Sequence, residues 1–420
     1  MAGYGIRVSV FYGALFLIYG VHLPYLPLWL EWRGLTPSQI AIVTSAPFFL
    51  RLIATPSLAY LADRRGAHTR MIRQLAWATL ASALLLSGMY GFYQIFAATL
   101  VLAISLYTIT PLIETIAVSG VRLGLDYGRM RLWGSLTFIA ASFAGGAAVE
   151  WAGRGIGVWL IAIGCAATVI AAYFLPSSEE HAQKRSRQAT NAASDKLETS
   201  PLPSSSNRGI DQATALRLAR HPLFITFLIA IGSVQAAHAT FYTFGAIQWR
   251  SGGLSSAWIG TLWAIGVMTE VSLFAISRRL VSLLGPVRLL LIGASAAVVR
   301  WSAMSVAPSL GWLIPLQVLH GLTYGASHLG AIHFISRAVP QAASGTAQAL
   351  YSTLATGLLQ GAATLGSGWL YARYGGGTYL AMALLSSVGL AAGLILARSW
   401  SGGLLWDDEG AGRPTLTVRA

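Results

Sequence analysis

Residues 177–188 read SSEEHAQKRSRQ and residues 200–209 read SPLPSSSNRG, within one long polar stretch that extends from Pro176 to Arg220. This stretch is rich in serine and charge and poor in aromatic residues, which is typical of a flexible linker. On both sides of it, the chain consists of apolar runs separated by short loops. The stretch therefore divides the chain into two apolar halves.

The composition of the whole chain indicates a membrane protein. Of its 420 residues, 55% are hydrophobic and only 10% are Asp, Glu, Lys or Arg, whereas an ordinary soluble domain has about 25% charged residues. The mean hydropathy of +0.62 agrees. These values exclude a soluble enzyme, a disordered regulator and a fibrous protein. Because a spanning helix needs about 20 apolar residues, the chain has room for twelve spans.

Apolar runs bounded by charges and turn residues predict six spans before the polar stretch and six after it. Numbered 1 to 12, they cover residues 7–30, 38–62, 72–91, 94–118, 130–151, 156–175, 222–248, 256–279, 287–306, 311–335, 344–370 and 378–397. The predicted fold class is an all-α polytopic membrane protein with two six-helix bundles, at 1–175 and 221–398. Residues 176–220 are predicted to be a cytoplasmic flexible linker, and residues 399–420 a cytoplasmic tail.

The positions of Lys and Arg predict the orientation in the membrane. With the N-terminus inside, 22 of the 28 lie on the inner side, in the linker or in the tail. Arg33, Arg154, Arg250 and Arg373 lie outside, and Arg51 and Arg300 lie within spans. The positive-inside rule then places both termini in the cytoplasm of a cell whose inner membrane holds the protein. The net charge of +14 is thus a membrane-surface feature and does not indicate nucleic acid.

The two halves also repeat. With a shift of 219 residues, Gly34-Leu35 meets Gly253-Leu254, and Arg51 in span 2 coincides with Glu270 in span 8. The 6 + linker + 6 layout and these matches together indicate two related bundles.

Few ionisable residues lie at membrane depth, where each costs about 2.5–3.5 kcal/mol on insertion scales. They are Arg51, Glu114 and Arg131 in the first half and Glu270, Arg300, His320 and His328 in the second. One interpretation is structural: Glu114 pairs with Arg131, and Glu270 with Arg300, to lock neighbouring helices. The other is functional: the groups face a polar cavity between the bundles. Buried ion pairs stabilise poorly compared with apolar packing, which favours the second interpretation.

Span 10 supports the functional interpretation. Its His320, Thr323, Tyr324 and His328 lie at offsets that place them on one broad helix face, which should look into protein or water. No nucleotide-binding GK[ST] loop, G-x-S-x-G elbow or metal-ligand spacing is present in the sequence. We therefore expect no enzyme, no metal site and no cofactor, with the proton gradient as the driving force.

The 6 + linker + 6 arrangement resembles the major facilitator superfamily. Residues 59–66, Ala-Tyr-Leu-Ala-Asp-Arg-Arg-Gly, followed by Arg70, are similar to its signature loop, Gly-x-Leu-Ala-Asp-Arg-x-Gly-Arg, except that Ala59 replaces the first glycine. The resemblance implies a gating loop at Asp63, Arg64 and Gly66, in which the aspartate latches the inner gate.

Three segments resemble the 3-phenylpropionate permease group and, more distantly, lactose permease: residues 125–135, residues 235–239 with Tyr242, and residues 260–270. The lactose permease resemblance implies that Glu114 and Arg131 bind substrate, and it matches Glu270, Arg300 and His320 to that carrier's glutamate, arginine and histidine. The proton-carrying glutamate of its helix 10 falls at Thr323 here. Proton handling must therefore shift to Glu270, His320 or His328, or be lost.

We therefore predict a monomeric, proton-coupled symporter of a small organic solute, an aromatic or other monocarboxylic acid, working by alternating access. The predicted substrate-binding residues are Glu114, Arg131 and Arg300, with Trp133, Tyr242 and Trp263 as ring-stacking walls; Glu270, His320 and His328 are the proton-coupling residues. One alternative is a sugar or nucleoside symporter or a drug exporter of the same fold. The other is a non-transporting membrane sensor.

Overall fold

The first bundle contains six helices. The structure, a computed structural model, describes residues 2–121, 123–176 and 212–406. Spans 1 to 6 are the helices Ala2–Trp32, Pro37–Arg64, His68–Gly88, Phe92–Val121, Tyr127–Ala152 and Gly157–Phe174. These helices confirm the six spans predicted before the polar stretch, with ends that differ by a few residues.

The second bundle has the same number of spans, but four of them are interrupted. Span 8 is the helix Ser256–Ala275 and span 12 is Thr378–Ser399. Span 9 is Ser277–Met304, with a break at Gly285, whose φ is 71°. Span 7 consists of Pro222–Ala236 and Ala239–Ser251; span 10 of Leu310–Val318, the π-helical Gly321–Ala326 and Ser327–Ala338; and span 11 of Ser344–Leu350, the π-helical Tyr351–Leu359 and Gln360–Tyr374. The all-α fold with twelve spans is confirmed.

Length and hydropathy alone identify nine of the described helices as able to cross a membrane. The interruption of span 10 and the joining of spans 11 and 12 into one segment, Gln341–Ser399, explain part of the difference. Span 3 is the other part, because its helix carries Arg70 and Arg73 and has a lower mean hydropathy. The segments that length and hydropathy miss are thus still helices of the fold.

The prediction of a flexible linker is wrong for its last nine residues, which form the helix Gln212–Arg220. Leu218 is buried against the second bundle, and the Arg217 guanidinium lies 4.6 Å from the centre of the Trp406 ring. The helix forms because it is amphipathic and can bury one face. Most of the predicted linker, and residues 407–420 of the predicted tail, lie outside the described residues.

Capping side chains mark the first residues of several helices. Thr36 and Gln39 form a capping box before span 2, and the side chain of Asp126 accepts a hydrogen bond from the Arg129 amide at the start of span 5. Ser255 caps span 8 in the same way. Such side chains satisfy amides that the first helical turn leaves unpaired. The cap at Asp126 matters most here because it fixes the register of Arg131, one turn later.

The two bundles contact each other closely at one end, which we call the closed end. There Gly146 of span 5 and Gly260 of span 8 lie so near the opposite helix that a Cβ at Gly260 would overlap the Ser142 carbonyl and the Tyr25 hydroxyl. The Tyr25 hydroxyl donates to the Ser142 carbonyl at 2.8 Å. Only glycine permits this approach, and small residues are typical of close crossings between membrane helices.

A polar contact completes the closed end. Glu150 Oε2, at the end of span 5, accepts hydrogen bonds from Arg250 Nη1 at 3.0 Å and from the Ser256 amide at 2.7 Å. Glu150 belongs to the first bundle, and both of its partners belong to the second. The contact therefore joins the bundles directly.

Candidate functional site

A cavity of about 750 Å³ lies between the bundles. It extends away from the closed end, towards the start of span 5 and the end of span 8, at Tyr127 and Phe274. Aromatic rings form much of its wall: Phe16, Tyr19, Tyr127, Phe138, Phe241, Tyr242, Trp263, Phe274 and Tyr324. A concave, mainly apolar site with a few polar groups is the usual form of a small-molecule site.

The first bundle contributes a cation and a carboxylate. Arg131 Nε lies 3.8 Å from Glu114 Oε1, and both side chains are about one-third exposed. The Tyr127 hydroxyl donates to Glu114 Oε2 at 2.7 Å, and the Arg131 guanidinium lies 4.0 Å from the centre of the Phe16 ring. Arg131 and Tyr127 line the cavity. The predicted Glu114–Arg131 pair is present, and Glu114 acts on the cavity through these two neighbours.

The second bundle contains a buried arginine that organises its neighbours. Arg300 in span 9 is 0% exposed. Its Nη1 donates to His320 Nδ1 at 3.0 Å and to Thr323 Oγ1 at 3.1 Å, and its Nη2 donates to Gln317 Oε1 at 2.9 Å. Arg300 therefore holds three groups of span 10 and does not itself line the cavity, unlike the predicted direct contact with substrate.

The hydrogen bonds to Arg300 fix the protonation of His320. A guanidinium only donates, so Nδ1 of His320 must accept, and the ring hydrogen lies on Nε2. Nε2 in turn lies 3.9 Å from Glu270 Oε2. The imidazole N–H is thus directed at the carboxylate of span 8, and both residues line the cavity.

His238 in span 7 completes this network. Its Nδ1 lies 3.0 Å from the Val234 carbonyl, so Nδ1 carries the hydrogen. Its Nε2 then accepts from the Thr323 hydroxyl, 3.1 Å away. Arg300, Thr323 and His238 consequently form one directed chain of hydrogen bonds, and every member is buried.

The predicted polar face of span 10 is present for His320, Tyr324 and His328, whereas Thr323 bonds to Arg300 and His238 inside the second bundle and does not line the cavity. The rings of His320 and Tyr324 are stacked with centres 5.7 Å apart, and those of Tyr324 and His328 with centres 5.9 Å apart. All three rings line the cavity, and His328 Nδ1 lies 3.2 Å from the Tyr351 hydroxyl of span 11. We call this stack of three rings the ladder. Its central residue, Tyr324, lies in the π-helical segment of span 10, and π-helical turns often occur at functional sites.

Trp133 does not lie where the sequence analysis placed it. Its side chain is 55% exposed and lines a separate lateral groove with Ile6, Ala167 and Phe174. Arg131 and Trp133 are two residues apart, which puts them about 200° apart around a helix of 3.6 residues per turn. Since Arg131 faces the cavity, Trp133 faces away from it, whereas Tyr242 and Trp263 line it as predicted.

Glu270 and Arg300 do not pair directly, contrary to the prediction from the sequence. His320 lies between them, with Nδ1 bonded to Arg300 and Nε2 3.9 Å from Glu270 Oε2. Arg51 takes another partner as well: its Nη2 donates to the Thr356 carbonyl in the π-helical segment of span 11 at 2.6 Å. This bond joins the two bundles. In the predicted gating loop, Asp63 Oδ1 lies 2.7 Å from Nε2 of His68, within the same loop.

Sequence reasoning missed several site residues. Gln317 lies inside an apolar run, and only the position of Arg300 shows that it is a direct partner of that residue. His238 lies in the segment 235–239 that the sequence did single out, but its bond to Thr323 was not predicted. The joint at Glu150 and Arg250 was missed because Glu150 lies in the last turn of predicted span 5 and Arg250 in the predicted loop after span 7. A signal for the π-helical segments was available in the glycines of spans 10 and 11, at Gly321, Gly325 and Gly357, but glycine alone does not distinguish a π-helical turn from a kink.

Residues 5–382 of the chain match the MFS_1 like family. The protein called probable 3-phenylpropionic acid transporter, from Escherichia coli strain K12, is 29% identical over 390 residues, 89% of this chain and 93% of that protein. The maltose permease of Geobacillus stearothermophilus is 29% identical over 396 residues, 93% of each.

Solved structures share the fold. The nucleoside transporter NupG has a TM-score of 0.77 at 15% identity and covers 94% of this chain and 99% of its own. The D-xylose-proton symporter has a TM-score of 0.64 at 14% identity, with 95% and 97% covered. The family match, the twelve-span fold and the central cavity lead to one conclusion: this chain belongs to the MFS_1 like family and is a multi-pass secondary transporter of the major facilitator superfamily, not an enzyme.

Proposed function

We propose that this transporter is a proton-coupled symporter of an aromatic or other monocarboxylic acid. The observation that supports it is the composition of the cavity, in which Arg131 lies among aromatic rings. A carboxylate forms strong charge-assisted hydrogen bonds with a guanidinium, and an aromatic tail packs favourably against offset or perpendicular rings. The relative named for 3-phenylpropionic acid agrees with this chemistry.

In the proposed mechanism Glu270 carries the proton. His320 is the weaker candidate, because a second ring proton on Nδ1 would break its bond to Arg300 and place two cations side by side. Protonation of Glu270 breaks no hydrogen bond to Arg300 and creates no second cation. It removes the attraction between the Glu270 carboxylate and the Nε2 hydrogen of His320. Protonation is thereby linked to the contact between spans 8 and 10, as alternating access requires.

With both termini in the cytoplasm, the closed end is the outer end and the cavity faces inward. Substrate and proton would then leave towards the start of span 5. Arg131, positioned by Glu114, would bind the carboxylate of the acid. Tyr242 and Trp263 would contact its ring, and Arg300 would hold His320 in place. His328 remains a second proton site at the inner end of the ladder.

The test is uptake into vesicles that contain the purified protein, with an imposed pH gradient. We expect labelled 3-phenylpropionate to accumulate against its gradient, and collapse of the pH gradient to abolish accumulation. The variant Glu270→Gln should lose accumulation but keep exchange of labelled for unlabelled acid, because exchange needs no net proton movement. If no acid is transported, or if Glu270→Gln accumulates acid normally, the proposal is wrong.

A sugar is the second candidate. Two observations favour it: the maltose permease relative, and two buried donors on cavity-lining residues, Trp263 Nε1 and Gln317 Nε2, that have no partner among the described residues. Sugar hydroxyls could accept from both. The same vesicles with labelled maltose decide the matter, since accumulation of maltose without that of any acid would replace the first proposal.

A further inference from the structure

A second, smaller cavity of about 80 Å³ lies nearer the closed end. We call it the chamber. Its wall comes from spans 1, 2 and 4 of the first bundle and spans 7 and 11 of the second, and it shares only Leu23 and Tyr242 with the wall of the main cavity. It therefore lies at the surface along which the bundles must separate when the closed end opens.

Unpaired polar atoms surround the chamber. Both ring nitrogens of His22, Oγ1 of Thr99 and Nε2 of Gln360 are buried without a hydrogen-bond partner among the described residues. The three side chains are 7%, 2% and 6% exposed, and all three line the chamber. Buried polar groups in proteins are nearly always hydrogen-bonded. Four buried polar atoms without a hydrogen-bond partner around one cavity therefore indicate a ligand that both donates and accepts hydrogen bonds.

Two prolines add acceptors to the same wall. Pro27 in span 1 and Pro47 in span 2 have no amide hydrogen, so the carbonyls of Leu23 and Val43, four residues earlier, lose their helical donor. All four of these residues line the chamber.

The chamber's lining contains no charged side chain among the described residues. Its ligand is therefore neutral and small, with hydrogen-bond donors and acceptors. A water molecule fits these demands: it occupies about 30 Å³ in the liquid and needs 2–4 polar partners.

We propose that the chamber binds about two or three water molecules, which bridge His22 and Thr99 of the first bundle to Gln360 of the second. The bridge stabilises the arrangement in which the closed end is shut, because separating the bundles at this depth breaks it. The site is independent of the substrate and of the coupling ion.

The test compares apolar variants of nearly unchanged shape, Thr99→Val and Gln360→Met, with a control. Thr168→Val is the control because Thr168 is equally buried but its hydroxyl bonds to the Gly164 carbonyl within span 6. We expect both chamber variants to lower the melting temperature of the purified full-length protein more than the control does. The double variant should lower it by less than the sum, since both side chains hold the same waters.

If the chamber holds no water, the change in melting temperature should have the opposite sign, because removing a buried polar atom that has no partner would raise the melting temperature. Such a rise, or a change no larger than that of the control, would overturn the proposal. X-ray hydroxyl-radical footprinting without added solute gives a second readout, because radicals form from bound water. We expect modification of His22 that decreases in the double variant, and an unmodified His22 would also overturn the proposal.

Discussion

At the residue scale, Arg300 determines the geometry of the second half of the site. It donates to Gln317, His320 and Thr323, and its guanidinium lies 4.9 Å from the centre of the Phe241 ring. No carboxylate balances its charge within this network; neutral acceptors and aromatic faces do so instead. A planar fork with five donors serves several partners at once, which lysine cannot do.

Arg300→Lys should therefore damage the site while keeping the charge. The ammonium cannot reach all three partners, so at least one buried acceptor loses a bond to a charged donor, worth about 1.5–3 kcal/mol. We expect a lower free energy of unfolding and weaker substrate binding, measured by thermal unfolding with and without substrate. Unchanged stability and affinity would show that the network has no organising role.

The two tryptophans provide a matched pair. Trp263 is 4% exposed and lines the cavity, whereas Trp133 is 55% exposed and does not. Trp263→Ala should raise the substrate dissociation constant by about tenfold or more, because the ring contact that it removes is worth at least about 1.4 kcal/mol. Trp133→Ala should leave the constant unchanged. Binding measured by isothermal titration checks both, and equal effects would contradict the assignment of Trp263 to the substrate wall.

Much of the site was predictable at this scale. Membrane-embedded charge is costly, so the rare ionisable residues Arg131, Glu270 and His320 were sound candidates. Helical spacing alone could have removed Trp133. The burial of Arg300 could not be predicted, because it depends on how spans 7, 9 and 10 pack together.

At the element scale, two features of the helices matter most. Spans 10 and 11 contain π-helical segments that face the bundle interface, with Thr323 and Thr356 in them. Spans 5 and 8 cross so closely that glycine is required at Gly260. The sequence predicted where these helices lie, because apolar length is a strong signal. It did not predict the π-helical turns, whose extra residue depends on tertiary contacts.

Gly260→Ala should therefore shift the protein away from the state with the closed end shut. The added methyl group would overlap backbone, which cannot move aside as a flexible side chain does. Gly366→Ala is the control, because a Cβ there meets nothing within 4 Å. Alkylation of a cysteine introduced at Ser256, which is buried at the closed end, reports opening, and equal labelling rates in the two variants would contradict the expectation.

At the scale of the whole molecule, the bundles touch at one end and enclose a cavity beyond it. The chain's single cysteine, Cys165, is buried in span 6, so introduced cysteines report accessibility with little background. The contact at Glu150 joins the bundles at the closed end, and both of its charged side chains are about 40% exposed. Its strength is thus limited by solvent.

Glu150→Gln should weaken this joint modestly. Exposed ion pairs contribute about 0.2–1 kcal/mol, so the ratio of open to shut molecules should rise by a factor of about 1.4 to 5. The loss should be smaller in high salt, where the pair is already screened. Labelling of the cysteine introduced at Ser256, a substitution that keeps the backbone amide, measures this at two ionic strengths. A salt-independent effect would assign the contribution to the Ser256 amide bond instead.

The orientation of the molecule is testable separately. Reporter fusions at residue 420 and at the loop around Gly91 should lie on opposite sides of the membrane, the first in the cytoplasm, because the two sites are separated by nine spans. Fluorescence of a cytoplasm-active reporter and activity of a periplasm-active phosphatase distinguish the sides. Reversal of both signals would place the cavity on the outer face.

The bond between Arg51 and the Thr356 carbonyl has a consequence for how this joint would appear in genetic data. Its acceptor belongs to the main chain, so every residue at position 356 except one that alters the backbone supplies the same oxygen. In a mutational scan, substitutions of Arg51 will therefore remove this bond, whereas substitutions of Thr356 will not. For the same reason, the two positions will not covary. A contact map computed from covarying positions would therefore not show the bond between Arg51 and residue 356, although this bond links the bundles as directly as the bond between Glu150 and Arg250 does.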